Sequence, residues 1–255
     1  MSVRPKKHLG QHFLRDHNIA RKITGALDCD ACRHVLEIGP GTGILTELLL
    51  KKCPEKLQTA EIDPESVTFL RRHYGNKLVI HEGDFLKMDL QDLYPDGDLC
   101  IIGNFPYNIS SQIFFKILEN HRLIPQVVGM IQKEVADRIT APHGNKTYGI
   151  LSVLLQLYYR VEKLFDVPPQ VFSPPPKVQS SVIRLLHRDD FPEVDDRLFL
   201  QLVKTTFNQR RKTLRNSLKK LNLPPQNHWE AFAGRRPEQL SPGEFVELYR
   251  KLYAS

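Results

Sequence analysis

Glu37-Ile38-Gly39-Pro40-Gly41-Thr42-Gly43 follows the apolar run His34-Val35-Leu36 and precedes Ile44-Leu45-Thr46-Glu47-Leu48-Leu49-Leu50. The run before it has the composition of a buried strand and the run after it a helical pattern, so the glycines occupy a strand-to-helix turn. Glycine lets the backbone reverse sharply and approach a ligand closely, just ahead of a helix N-terminus. Three nucleotide-type readings compete for such a turn. A P-loop ends in Gly-Lys-Ser/Thr, but Gly43 is followed by Ile44. A dinucleotide fingerprint starting at Gly39 would place its third glycine at 44, again isoleucine. What remains is the G-x-G-x-G spacing of S-adenosylmethionine sites, where backbone meets an amino acid moiety rather than a pyrophosphate.

On either side of this turn, short apolar runs alternate with longer helical patterns. Strands are expected at 34–39, 57–63, 78–84, 99–104 and 126–131, with two more near 157–166 and 180–187. Helices are expected between them, at 44–52, 65–74 and 110–120. This is the rhythm of βαβ units, hence a Rossmann-like α/β domain with a mostly parallel sheet. The polar segment 189–196 reads as a boundary, dividing a domain at 1–190 from a small helical one at 191–255 that is punctuated by Pro224-Pro225, Gly234, Pro237 and Pro242.

In open α/β sheets, ligands bind beyond the carboxyl ends of the strands. The second strand ends at Glu61, where a carboxylate can accept from both ribose hydroxyls. The third ends in Asp84-Phe85, an acid for an adenine amino group beside a ring for its face. One such acid is ordinarily a solvated strand end or a helix cap. Acids at successive strand ends beside the glycine turn predict a nucleoside cofactor.

The fourth strand ends in Asn104-Phe105-Pro106-Tyr107, which resembles the N-x-P-[YF] signature of adenine-N6 methyltransferases. The chain as a whole resembles the KsgA-type ribosomal RNA adenine dimethyltransferase family. The resemblance rests on Leu9-Gly10-Gln11-His12-Phe13-Leu14, Gln132-Lys133-Glu134-Val135, Tyr148-Gly149, Val171-Phe172-Ser173-Pro174-Pro175-Pro176-Lys177-Val178, and Phe207 to Leu218. It implies a class I S-adenosylmethionine-dependent methyltransferase fold with a small C-terminal helical domain. Cofactor contacts are implied from His12, Leu14, Gly39, Gly41, Glu61, Ile62, Asp84, Phe85 and Asn104; His12 stands where the family usually has asparagine. Asn104 and the Phe105 backbone would hold the target N6, Pro106 fix the turn, and Tyr107 and Phe172 stack on the base. The implied activity is N6-dimethylation of two adjacent adenosines near the 3′ end of small-subunit rRNA, within an assembling subunit. The related large-subunit dimethylase shares these motifs, as does a non-catalytic nucleic-acid-binding factor on the same fold. The stretch from Phe207 favours the small-subunit enzyme, and the intact Gly39, Glu61, Asp84 and Asn104 argue against a non-catalytic factor.

Charge agrees with a polyanionic partner. The net charge is +7, but Lys204–Lys220 alone carries seven basic residues and no acid. Within it Arg210, Arg211, Lys212 and Arg215 are the expected RNA contacts. Cys29, Cys32, Cys53 and Cys100 include one C-x-x-C pair but no zinc-ligand set, so reduced thiols and no metal are expected. No run approaches membrane-span length and the first residues lack a secretory apolar segment, so a cytoplasmic protein, expected to be monomeric, is implied.

Overall fold

Val35, Leu36, Cys100, Ile101, Ile102, Val127 and Val128 are sealed from solvent, as near-continuous apolar runs are when a parallel sheet is covered on both faces. The computed structural model describes residues 3–221 and 229–253; the expected punctuation at Pro224-Pro225 lies outside them. The strands are β1 (Phe13–Leu14), β2 (His34–Ile38), β3 (Leu57–Glu61), β4 (Val79–Glu82), β5 (Leu99–Asn104), β6 (Gln126–Gln132), β7 (Tyr159–Val167), β8 (Phe172–Ser173) and β9 (Ser180–His187). Seven of them form one sheet in the order β4-β3-β2-β5-β6-β9-β7. From β4 to β6 neighbours run parallel, and β9 returns antiparallel to β6 with Gln132 opposite Ser180. The strand order reverses at β2, between β3 and β5, so the carboxyl ends of β2, β3 and β5 open on one crevice. A second, two-stranded sheet pairs β1 with β8, Leu14 opposite Phe172.

The α-helices are α1 (His17–Gly25), α2 (Ile44–Lys52), α3 (Pro64–Tyr74), α4 (Leu90–Leu93), α5 (Ser110–Glu119), α6 (Lys133–Thr140), α7 (Ile150–Tyr158), α8 (Asp196–Phe207), α9 (Leu214–Ser217), α10 (Glu230–Ala233) and α11 (Pro242–Tyr253). Their starts follow local chemistry. Asp63 caps α3 by accepting from Glu65 N–H, with Pro64 in the first turn, and Asp16 caps α1 through Asn18 and Ile19. All seven strands expected in the main sheet are present within a few residues. The strand expected from 157 begins at Tyr159, because α7 runs through Tyr158.

Two expectations are corrected. The chain divides into Met1–Ala136 with Glu162–His187, and Asp137–Val161 with Arg188–Ser255. The division differs from a single cut near 190 in the second half of α6 and all of α7, which cluster with the C-terminal helices: the apolar α7 packs on α8 and α11. The cysteines are paired rather than free, Cys29 with Cys53 and Cys32 with Cys100. Their Cα atoms lie 6.1 and 5.8 Å apart, within the span of about 4.4–6.8 Å that a disulfide bridges. The C-x-x-C turn sits beside the end of α2 and the body of β5, a proximity that spacing along the chain does not encode.

Candidate active site

Gly39, Gly41 and Gly43 all take positive φ, at 64°, 56° and 80°, so the turn after β2 follows a path that L side chains rarely adopt. Gly41 has a second constraint. A Cβ there would lie 2.7 Å from the Phe13 ring, which rests on the turn. At the end of β3, Glu61 is 3% exposed. Its Oε2 accepts from Gly41 N–H at 3.0 Å and its Oε1 from Asp63 N–H at 2.9 Å. Burial pushes the Glu61 carboxyl up, while these backbone donors work against that shift. Asp84 follows β4 and accepts from Leu86 N–H at 3.0 Å, turning Phe85 back toward the crevice.

His12, Gly39, Gly41, Glu61, Ile62, Asp84, Phe85, Asn104, Phe105, Pro106 and Tyr107 line one cavity. Its furnishings suit a nucleoside bearing an amino acid. They comprise a side-chain-free turn, a carboxylate hydrogen-bonded to it, a second acid, and the apolar Ile62 (49% exposed) and Phe85. The segment before β1 forms another wall. Gln11 Nε2 donates to Asp63, and Lys6 ion-pairs with the same carboxylate. Gln11 and Phe13, from the stretch Leu9–Leu14, line the cavity too, as do Asn108 and Gln112, which no motif in the sequence singles out for that role.

At the mouth of β5, Asn104 Nδ2 donates to the His12 carbonyl at 2.8 Å. One of its two amide hydrogens is engaged in this way, which fixes how the amide is turned. Phe105 is wholly buried, so only its backbone serves the site. Gly129 of β6 makes room for its ring, since a Cβ there would sit 2.7 Å away. The Tyr107 hydroxyl hydrogen-bonds Ser180 Oγ. The His12 ring lies 5.3 Å from the Tyr107 ring and its Nδ1 is 2.7 Å from the Pro174 carbonyl.

Two expected site residues are not in this cavity. Leu14 and Phe172, both 3% exposed, belong to the hydrophobic core beside Val167 and Val182. Pairing of β1 with β8 turns both side chains inward, and neither lines the cavity or the neighbouring proline-walled groove. Phe172, expected to stack on the base, is placed in the core and not on the cavity wall.

Glu37, behind the glycine turn, is buried and accepts from Thr46 Oγ1 at 2.6 Å. Burial pushes its carboxyl to about 8. In the unfolded chain it titrates near its ordinary 4.5, so between those values only the folded form keeps the proton. That stabilising contribution is complete below the unfolded value and is lost as pH rises through about 8. Calorimetric melting of wild type from pH 5 to pH 8 is therefore expected to show a downward trend that Glu37→Gln reduces. Parallel trends in the two proteins would contradict it.

In the second unit, Arg211 and Lys212 on the turn joining α8 to α9 and Arg215 on α9 are exposed. Arg210 is half-buried, donating to the Asn145 carbonyl at 3.2 Å and facing Glu238 at 3.9 Å. The chain leaves helical geometry at 208–213; Phe199, Val203, Leu214 and Leu218 are buried, while Phe207 is partly buried. Among the described residues, no helix is long and apolar enough to cross a membrane.

Comparison with known proteins adds to this geometry. The family described as ribosomal RNA adenine dimethylase matches residues 3–248. Ribosomal RNA small subunit methyltransferase A of Bacteroides fragilis is 54% identical over 96% of this chain and 91% of its own. A dimethyladenosine transferase from Plasmodium falciparum superposes with a TM-score of 0.78 at 28% identity, covering 93% of this chain and 96% of that one. The 23S rRNA methyltransferase ErmE shares the fold, with a TM-score of 0.72 at 24% identity over 94% of this chain and 99% of its own. The glycine turn, the strand-end acids and Asn104-Phe105-Pro106-Tyr107 are thus carried on the α/β fold of class I S-adenosylmethionine-dependent methyltransferases, and the chain belongs to the ribosomal RNA adenine dimethylase family.

Proposed function

We propose that this chain transfers methyl groups from S-adenosylmethionine to N6 of two adjacent adenosines near the 3′ end of small-subunit rRNA, dimethylating each within an assembling small subunit. The observation that carries the reading is the Asn104 amide, locked by the His12 carbonyl on the same cavity that holds Glu61 and Asp84. When bound, the cofactor supplies an electrophilic sulfonium methyl. Glu61 accepts from the ribose hydroxyls, Asp84 from the adenine amino group, and the glycine turn admits the amino acid end. An adenine amino group is a weak nucleophile because its lone pair is delocalised into the ring. Asn104 Oδ1 and the Phe105 carbonyl accept its hydrogens, favouring a tetrahedral nitrogen in line with the methyl. The cofactor would give up its methyl from sulfur to this nitrogen, and the methylated nitrogen would release its proton to water. No titrating base is needed. Tyr107 replaces the stacking that the extruded base gives up.

The large-subunit reading rests on a shared fold, whereas the 54% identical relative is named for the small subunit. We place the protein in the cytoplasm, where ribosomes assemble, and read it as acting as a monomer. Purified protein incubated with unmodified small subunits and methyl-labelled cofactor should label the rRNA; absence of label would refute the activity.

Two further outcomes follow from the assigned roles. Glu61→Ala should weaken cofactor binding by about 1.5–3 kcal/mol, the scale of losing hydrogen bonds to a charged acceptor. Calorimetric titration of the folded variant at wild-type affinity would remove Glu61 from the site. Reversing charge at Arg211, Lys212 and Arg215, while sparing the internally engaged Arg210, should weaken subunit binding and leave cofactor binding intact. Each lost phosphate contact flattens the slope of log K against log salt by about 0.7–0.9. An unchanged slope would mean this basic turn does not meet RNA.

A further inference from the structure

Tyr107 stands on the turn after β5, half-exposed at the cavity. A stacking ring is useful only while its plane is held to within about 10–20° of the productive orientation. Nothing in the turn itself supplies that control: the turn's own hydrogen bonds, Ile109 N–H to the Pro106 carbonyl and Ser110 Oγ–H to the Tyr107 carbonyl, fix only backbone. The ring is held instead from elsewhere in the fold. Its hydroxyl bonds Ser180 Oγ, and Ser180 is 0% exposed as the first residue of β9. That strand is anchored where it matters: Ser180 pairs with Gln132 of β6, and Lys133 N–H donates to the Gln179 carbonyl at 2.9 Å. On the ring itself lies the His12 imidazole, 5.3 Å away at 30°, fixed in turn by the Pro174 carbonyl.

We infer that Ser180 is a positioning residue for the target base: through the Tyr107 hydroxyl it sets the plane on which the extruded adenine stacks. The inference rests on the proposed N6 methylation, and it adds a residue outside every motif that the reaction itself requires. A buried serine–tyrosine pair serves equally well as a mere structural tie that satisfies two polar groups. The two roles differ in what they couple. A tie affects folding and spares the rate of the folded enzyme. A positioning contact affects the methylation step, and only while Tyr107 carries its hydroxyl.

The test is a cycle of Ser180→Ala, Tyr107→Phe and the double variant, read as single-turnover methyl transfer to unmodified small subunits with the cofactor saturating. Each single change should slow the step by about 5- to 10-fold, toward the lower end of what losing a whole base stack costs. The double variant should be no slower than either single one, because both changes remove the same bond. Cofactor affinity, from calorimetric titration, should stay at the wild-type value throughout. Ser180→Thr and Ser180→Val, matched in shape, separate the hydroxyl from packing: threonine should keep the rate and valine should lose it. Should the Ser180 variants fail to fold, Tyr107→Phe decides alone, and a wild-type rate there overturns the inference. Losses that multiply in the double variant, or equal rates for threonine and valine, overturn it as well while leaving N6 methylation standing. A wild-type protein that transfers no methyl to RNA removes both.

Discussion

Asn104→Ala is expected to lower single-turnover methyl transfer by roughly two to three orders of magnitude, the scale of losing one preorganised polar partner of the reacting group. The size of the effect follows from how the side chain is held. Its Nδ2–H is engaged by the His12 carbonyl, so its oxygen needs no reorganisation when the amino group arrives. Alanine removes the acceptor and leaves the His12 carbonyl without that donor. Asn104→Asp keeps an acceptor but sets an anionic oxygen against the carbonyl, so it should recover little. Cofactor affinity should be nearly unchanged in Asn104→Ala, since Glu61, Asp84 and the glycine turn are untouched. Rapid-quench measurement with saturating subunit and cofactor reads the step directly. A wild-type rate would reduce Asn104 to a turn residue.

Phe172→Ala is expected to act on stability. Truncating a buried phenylalanine costs about 3–5 kcal/mol, which for a chain of this size lowers the melting temperature by roughly 6–20 °C. Phe172→Leu should be the milder change because it keeps most of the apolar volume. Phe172→Tyr should be worse than leucine, since it places a hydroxyl in the core beside Leu14, Val167 and Val182. The rate per folded molecule should change little in all three. The opposite pattern, an unchanged melting temperature with a rate reduced 5- to 150-fold, is what a base-stacking wall predicts, and it would return Phe172 to the active site.

The contrast between these residues shows what the sequence carries. Glu61, Asp84 and Asn104 were legible because strand ends in an open α/β sheet converge by topology, so their residue types could be read against a known geometry. Gly39 and Gly41 were legible for the same reason. Phe172 was not, because its burial depends on a two-residue ladder with Leu14 from the opposite end of the chain, and two paired residues leave no periodicity. Phe13 over Gly41, the Tyr107–Ser180 bond and the paired cysteines are likewise contacts between segments far apart in sequence. The assignment of the second half of α6 and of α7 was hidden because the chain leaves the catalytic unit within α6 and returns to it within β7, and nothing in their composition marks a crossing into the second unit. His12 is an intermediate case. Its backbone role at Asn104 is independent of side-chain type, while its ring contact with Tyr107 is visible only in three dimensions.

The most direct test of the account is the identity and position of the modified nucleoside. Unmodified small and large subunits are incubated separately with the protein and S-adenosylmethionine, and their rRNA is digested and mapped by mass spectrometry. N6-dimethyladenosine is expected at two adjacent positions near the 3′ end of small-subunit rRNA and none in the large subunit. Dimethyladenosine confined to the large subunit, or methylation at an atom other than adenine N6, would contradict it.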